Sequence, residues 1–477
     1  MRVPLRRCYA AKIMRIFAFA LLAATITAHA QLTPDTESKV AAVAEKVLQD
    51  TGVPSASVGI VQNGKVVYAR AFGLANITPP KPATASMAYP IGSISKQFTA
   101  TAALLLQQEG KLSLDDKVSK YFPELTRADE VSLRNLMTMT SGYEDDLPQD
   151  YIIPALRRPT TPEQVIHEWA TKPLDFTPGS QWQYSNTNYA IVALIVQKVA
   201  GVPFAQFLRE RVLAPLHLEG VFNTYTEREK LEVTGYVSNA MAPPRVLPLE
   251  APGWYVGDGD LAMPASTLAA WDLGIMQQRL LSPASYKQFE TAATLANGDS
   301  AHYGLGTFVR NHDGHRELEH DGEVGGYVAE NAVYPDDGVA IVVLTNEVAS
   351  TAAGEIGSAI RDILLPPKPN AAVAADTFAP ELQRLLTQLQ SGHIDRSMLT
   401  ANCSSYFDAD TLADFQSTLA PLGAISTVTR TRSALRGGMI FGLYKATFAG
   451  GSTVLISTYR LSGGQIEQLL AISKAAN

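Results

Sequence analysis

The chain has 477 residues, 46% of them apolar, and a formal net charge of −7; this is enough chain for two or three cores of ordinary size, and it excludes disorder as the default state. The acidic balance excludes nucleic acid and anionic lipid as favoured partners, since a polyanion gains nothing from a surface of its own sign. The two cysteines, Cys8 and Cys403, fall in unlike segments and offer no disulfide framework.

The first thirty residues stand apart. Arg2, Arg6, Arg7, Lys12 and Arg15 precede an apolar run over 16–26, and Ala28-His29-Ala30 follows. A basic start, a short apolar stretch and a small-residue site predict a signal peptide cleaved after Ala30, with Met14 as an alternative start. The run is well short of the roughly 20 residues that span a bilayer. Cleavage would take the formal charge from −7 to −12 and remove Cys8, leaving Cys403 alone. No cysteine stands at the cleavage site to take a lipid, so the expected product is a periplasmic or secreted protein with no stable membrane anchor.

Further along, Val40, Val43, Ala44 and Val47 recur at helical spacing within 36–49, and Gly52-Val53-Pro54 stops that helix. Residues 56–62 and 65–72 read as two strands joined by Asn63-Gly64, a pair that supplies the positive φ angles of a tight hairpin. A helix over 93–109 has Ile94, Phe98, Ala102 and Leu105 along one side and ends at Gly110, so Ser93 lies at a helix N-terminus. Residues 112–288 are mostly helical pattern broken by proline and glycine loops, with 189–200 the most apolar helix. Strand patterns return at 304–310, 316–320, 327–334 and 338–346, followed by a helix over 353–364. Early strands, a helical middle and late strands closing one sheet predict an α/β sandwich with a helical insertion, its cleft between the two lobes.

Pro366-Pro367-Lys368-Pro369 and the low-complexity residues after it read as a linker over 366–376. Beyond it, Leu382, Leu385, Leu386 and Leu389 form one helix face and Leu412, Phe415 and Leu419 another; four strand-like runs follow, the last two joined at Gly463-Gly464. Residues 377–477 are therefore expected to be a small α+β domain, and 31–365 the main one.

Three motifs carry chemistry. In Gly92-Ser93-Ile94-Ser95-Lys96 a lysine follows a serine at i+3, on the same helix face. A serine hydroxyl is a poor nucleophile until a base takes its proton, and a lysine deprived of water can be that base. Read alone, the same residues fit a solvated serine at a helix start. In Tyr184-Ser185-Asn186 an extended segment would point phenol and carboxamide the same way. A phenolate near a lysine can shuttle the serine proton; a core tyrosine with a satisfied hydroxyl is the plain alternative. In His320-Asp321-Gly322 the glycine would let a substrate backbone approach a strand edge, and the next N–H could join that of Ser93 in an oxyanion hole. The duplicate His312-Asp313-Gly314 reads as a hairpin turn.

In this order, at intervals of 91 and 136 residues, the motifs resemble the serine β-lactamase and penicillin-binding superfamily. The branch most similar holds class C β-lactamases, D-alanyl-D-alanine carboxypeptidases, D-aminopeptidases and related esterases. The resemblance covers about 40–364 and includes Ile91-Gly92-Ser93, Thr140-Ser141-Gly142, Phe176-Thr177-Pro178-Gly179 and Tyr303-Gly304-Leu305-Gly306. It implies the β-lactamase/transpeptidase-like sandwich, a mainly antiparallel sheet flanked by helices. It implies Ser93 as nucleophile, Lys96 as its proton partner and Tyr184 as general acid and base. Asn186, His320 and Gly322 would border the substrate, and the backbone N–H groups of Ser93 and Glu323 would bind the oxyanion. The C-terminal domain resembles a cystatin-like cone in element order.

Two positions depart from the family pattern. β-Lactamases of this kind carry a lysine and a hydroxyl residue where this chain has His320 and Asp321; a neutral imidazole beside a carboxylate opposes a substrate carboxylate and argues against efficient lactam hydrolysis. Met139 stands where relatives often have histidine and reads as a packing residue. His312, His315 and His320 raise a metal reading, but without a matching cysteine or carboxylate pattern a solvated hairpin accounts for them. The expectation is a serine hydrolase acting on a small ester, a D-amino-acid peptide or a β-lactam, with no metal or organic cofactor. A penicillin-binding sensor that acylates without turnover is the competing class.

Overall fold

Asn63 and Gly64 adopt φ values of 55° and 72°, and these left-handed residues fold β1 (Ser55–Gln62) back on β2 (Lys65–Asn76). The structure, a computed structural model, describes residues 31–147, 152–238, 243–348, 350–367, 376–436, 439–461 and 463–474. The leader over 1–30 and most of the linker over 366–376 lie outside the described residues.

Strand β3 (Lys81–Pro82) borders β2, and four late strands complete the sheet: β4 (Phe308–His312), β5 (His315–Val324), β6 (Tyr327–Tyr334) and β7 (Val339–Thr345). Their spatial order is β3-β2-β1-β7-β6-β5-β4. Ala56 of β1 lies opposite Thr345 of β7, so the early hairpin and the late strands close one sheet, and every pairing within it is antiparallel.

Every residue of β7, Val-Ala-Ile-Val-Val-Leu-Thr, is buried, because alternate side chains enter different cores. Ile341 and Val343 join Val58, Ile60, Val40 and Ile356 beneath α1 (Pro34–Thr51) and a helix over Ala352–Leu364. Val342 and Leu344 join the larger core on the other face, with Ile91, Phe98, Ile191 and Leu268. That core is built on α2 (Ser95–Gln108), α3 (Asn186–Ala200) and α4 (Ala265–Met276). Residues 95–106 of α2 are all buried, Lys96 among them. The helix expected from residue 93 begins differently: Gly92–Ile94 is a separate 3-10 turn and α2 starts at Ser95.

In the C-terminal segment α5 (Ala379–Gln390), α6 (Ala401–Tyr406) and α7 (Ala409–Leu419) precede an antiparallel meander of β8 (Ile425–Arg436), β9 (Met439–Phe448), β10 (Thr453–Arg460) and β11 (Ile466–Lys474). The sequence showed two of these helices. It missed α6, whose 6 residues are too few to display an amphipathic period; its legible mark is Thr400, which accepts a hydrogen bond from the Cys403 N–H at 3.2 Å. Phe378, Leu382, Leu385, Leu386, Tyr444, Ile456 and Leu469 form a core of their own there.

Candidate active site

Two glycines let main chain pass against main chain at Ser93. Gly92 has φ 51°, and a Cβ on it would lie 2.6 Å from the nitrogen of Glu323. A Cβ on Gly322 would lie 1.9 Å from the carbonyl oxygen of Ile91 and 3.2 Å from the nitrogen of Ser93. Any side chain at either position would force the turn and β5 apart. Their contact brings the backbone nitrogens of Ser93 and Glu323 to the same junction of turn and strand. β4 pairs with β5 over residues 315–319 and not beyond, so the stretch that follows faces the Ser93 turn.

Lys96 lies one helical turn on and is fully buried. Its Nζ is 2.9 Å from Ser93 Oγ, 2.7 Å from Asn186 Oδ1 and 3.0 Å from the carbonyl oxygen of Asp258. The last two can only accept. A neutral amine therefore gives both its hydrogens to them and turns its lone pair on the Ser93 hydroxyl. Burial pushes the Lys96 pKa down to about 8, against the upward pull of Asp258 and then of Asp145, Asp146 and Asp321. Asn186 is held in turn by Asp145, whose Oδ1 accepts from the Asn186 backbone N–H at 2.8 Å and from its Nδ2 at 3.1 Å. The residue read from sequence as a substrate contact thus orients Lys96 and is itself held by Asp145.

Tyr184 stands on the extended segment leading into α3, and Lys96 Nζ lies 5.0 Å from its ring centroid. Its hydroxyl is buried with no partner of full hydrogen-bond geometry. Burial raises its pKa well above the ordinary value, although neighbouring Ser93 opposes the shift. The phenolate expected from sequence is corrected here: without water to solvate the anion, the phenol keeps its proton and is a donor. The segment is anchored by Met139, buried as its packing reading required and strained at φ 60°, whose carbonyl accepts from the Gln183 N–H at 3.0 Å. Ser141 donates to Asn188 Oδ1 at 2.6 Å, tying the same loop to α3.

His320 spends both ring nitrogens on contacts within the protein. Its ring is 1% exposed, Nδ1 lies 2.6 Å from the Asp321 carbonyl oxygen and Nε2 lies 2.9 Å from the Tyr303 hydroxyl. A carbonyl only accepts, so Nδ1 carries the hydrogen and Nε2 accepts from Tyr303. Burial lowers its pKa to about 4, with Asp321 opposing, so the ring is neutral and has no nitrogen left for a substrate. It borders the site as part of an aromatic wall, 6.0 Å from Tyr184 and 5.5 Å from Phe308 between ring centroids. Asp321 alternates outward, with its side chain 70% exposed. The other two histidines lie elsewhere: His312 flanks the turn at Asp313 and Gly314, and His315 contacts Asp337 and the Pro366 carbonyl oxygen. Among the described residues no group of three or more His, Cys, Asp or Glu side chains is placed to hold a metal ion.

Sequence reasoning missed Asp145, Asp146, Asp258 and Glu250, and it noted Tyr303 within a motif without its contact to His320. Glu250 is buried, and both its carboxylate oxygens accept from the Gly325 N–H, at 3.0 and 3.1 Å, fixing the corner after β5. The only signal for Asp258 was Gly257-Asp258-Gly259-Asp260, which reads as a solvated turn.

Residues 40–364 match the family model described as Beta-lactamase. Penicillin-binding protein 4* of Bacillus subtilis (strain 168) is 27% identical over 305 residues, which are 61% of this chain and 67% of that protein. Among solved structures, the octameric penicillin-binding protein homologue from Pyrococcus abyssi superposes with a TM-score of 0.60 at 20% identity, over 89% of this chain and 96% of that one. The D-stereospecific amidohydrolase from Streptomyces sp. superposes with a TM-score of 0.59 at 23% identity, over 70% of this chain and all (100%) of that one.

Proposed function

The chain belongs to the β-lactamase family, and from that premise we propose that it is an exported serine hydrolase which opens an ester or amide through an acyl-enzyme on Ser93. The observation that carries this reading is the set of three contacts at Lys96 Nζ, two with fixed acceptors and the third with the Ser93 hydroxyl.

A substrate carbonyl oxygen would sit between the N–H groups of Ser93 and Glu323. As Ser93 Oγ bonds to the carbonyl carbon, its proton passes to Lys96 Nζ, and the two N–H groups take the charge that develops on oxygen. When the tetrahedral intermediate collapses, the C–O or C–N bond breaks and the leaving group takes a proton from Tyr184, which regains one from Lys96. Water then repeats the sequence on the acyl-enzyme and frees Ser93. The scheme uses protein groups alone.

Small esters and D-amino-acid amides or peptides fit this cleft better than β-lactams. Where a cation would grip a drug's carboxylate this chain has a neutral His320 whose two ring nitrogens are engaged within the protein, so no positive charge is offered to a substrate carboxylate there. The fold shared with a D-stereospecific amidohydrolase agrees with this class. Export rests on the leader over 1–30, removed near Ala30 to release a periplasmic or secreted protein of two domains, 31–365 and 377–477.

The test is turnover of p-nitrophenyl esters, D-alanyl peptides and nitrocefin by the wild type and Ser93→Ala. Ester or D-peptide cleavage lost in the variant supports the proposal, and equal activity in both overturns it. A bound fluorescent penicillin that persists for hours without release would favour the sensor class instead.

A further inference from the structure

Residues 144–146 are fastened to the first turn of α3. The Thr187 hydroxyl donates to the Glu144 carbonyl oxygen at 2.7 Å and lies 3.2 Å from Asp146 Oδ1, and Ser185 Oγ donates to the same carbonyl at 3.3 Å. Ser185 precedes the helix and gives it no side-chain cap. The N–H that opens α3, that of Asn186, is taken instead by Asp145 Oδ1 at 2.8 Å, from a carboxyl 41 residues earlier in the sequence.

The same oxygen accepts from Asn186 Nδ2 at 3.1 Å and from the Leu147 N–H at 3.3 Å. A backbone N–H can only donate, so Asp145 Oδ1 is an acceptor in either protonation state of the carboxyl; burial pushes the Asp145 pKa up, and the geometry does not depend on its charge. These contacts decide which way the Asn186 amide faces. Its NH2 turns to Asp145 and its oxygen to Lys96 Nζ, 2.7 Å away. Rotated by 180°, the amide would set oxygen against oxygen at Asp145 and an N–H against the Lys96 amine.

We propose that Asp145 is a positioning residue for the serine chemistry: by holding the Asn186 amide in one of its two orientations, it keeps an acceptor against Lys96 Nζ and leaves the amine's lone pair for the Ser93 hydroxyl. This rests on the reading of Ser93 and Lys96 given above. Of the two fixed acceptors at Lys96, the Asp258 carbonyl is main chain and cannot become a donor. The Asn186 amide can, so it is the contact that needs a lock. With the amide turned, its N–H would draw the lone pair away from Ser93. The proton balance is that of the scheme above: Lys96 gains the proton Ser93 loses, and Asp145 neither gives nor receives one.

The experiment measures the second-order rate of Ser93 labelling by a fluorophosphonate in the full-length wild type, Asp145→Ala, Asp145→Leu, Asp145→Asn, Asn186→Ala, the Asp145→Ala/Asn186→Ala double variant and Ser93→Ala, each below its melting transition. Asp145→Ala, which removes the acceptor, should label about tenfold more slowly, and Asp145→Leu should show the same loss if the alanine variant fails to fold. Asp145→Asn keeps a carbonyl oxygen without a charge and should recover the rate to within about threefold of the wild type. Because Asp145 acts through the Asn186 side chain, the double variant should label within about twofold of Asn186→Ala alone. Losses that multiply in the double variant, a folded Asp145→Ala that labels like the wild type, or an Asp145→Asn as slow as Asp145→Ala overturns the proposal. A wild type that labels no faster than Ser93→Ala overturns the serine reading and this inference with it.

Discussion

Two interiors of this chain differ in what they bury. Between the sheet and helices α2 and α3 lie Lys96, Asp146, Asp258, Asp272 and the Tyr184 hydroxyl, several of them without full hydrogen bonding. Under β8 to β11 the core is Phe378, Leu382, Leu385, Phe407, Ile456 and Leu469, and the polar side chains buried with it include the hydroxyls of Thr453, Ser457 and Thr458. The second interior is assembled by apolar burial of the ordinary kind. The first holds groups whose charged forms are poorly solvated, and such groups collect where proton transfer is carried out. The contrast assigns chemistry to one interior and packing to the other, and four perturbations probe it.

Lys96→Ala should produce the largest effect, a loss of about 10³- to 10⁴-fold in the acylation rate of Ser93 by a chromogenic ester, measured as the burst of released p-nitrophenol. Leu385→Ala strikes the other interior: it should destabilise the C-terminal unit by roughly 2–5 kcal/mol in denaturant unfolding and leave the Ser93 labelling rate unchanged below the transition. Loss of labelling in the folded state would break the division between the two interiors. Tyr184→Phe should slow turnover by about 10²-fold with little change in melting temperature, since the hydroxyl has no full hydrogen bond to lose.

The smallest effect concerns pH. Burial raises the Asp272 pKa to about 8, although its carboxylate accepts from Asn331 Nδ2 at 2.8 Å. The native state keeps that proton while the unfolded chain releases it above about pH 4, so stability falls as pH rises toward 8. Asp146, raised to about 7 by burial and by Asp145, acts in the same direction. His320 acts in the opposite sense: its lowered pKa costs stability as pH falls from about 6.5 to about 4. Between pH 6.5 and 8 the carboxyl effect should prevail, and the melting temperature should decline. Asp272→Asn should flatten that decline; an unaltered slope would show that Asp272 is ionised in the native state.

Much of this was legible in the sequence, for reasons that can be named. The Asn63-Gly64 hairpin, the apolar face of α2 and the late strands follow from local conformational preference and hydrophobic period. The i, i+3 relation of Ser93 to Lys96 follows from helix geometry. Asp258 was not legible, because an Asp between glycines looks like a solvated turn until α3 closes over it. Nor was the burial of His320 and its contact with Tyr303, which arrives from 17 residues upstream in the sequence. The role of Asn186 was partly legible. The alternation that pointed it with Tyr184 into one cleft held, whereas its engagement with Asp145 depended on a loop 41 residues away.

The most direct test of the account is a rapid acid quench of the protein mixed with p-nitrophenyl acetate, followed by peptide mass spectrometry. A single acetyl group on the peptide containing Ser93, which builds up within the burst and is lost on further incubation, is the predicted result. An acetyl group on another residue with Ser93 unmodified, or full hydrolysis by Ser93→Ala, would contradict it.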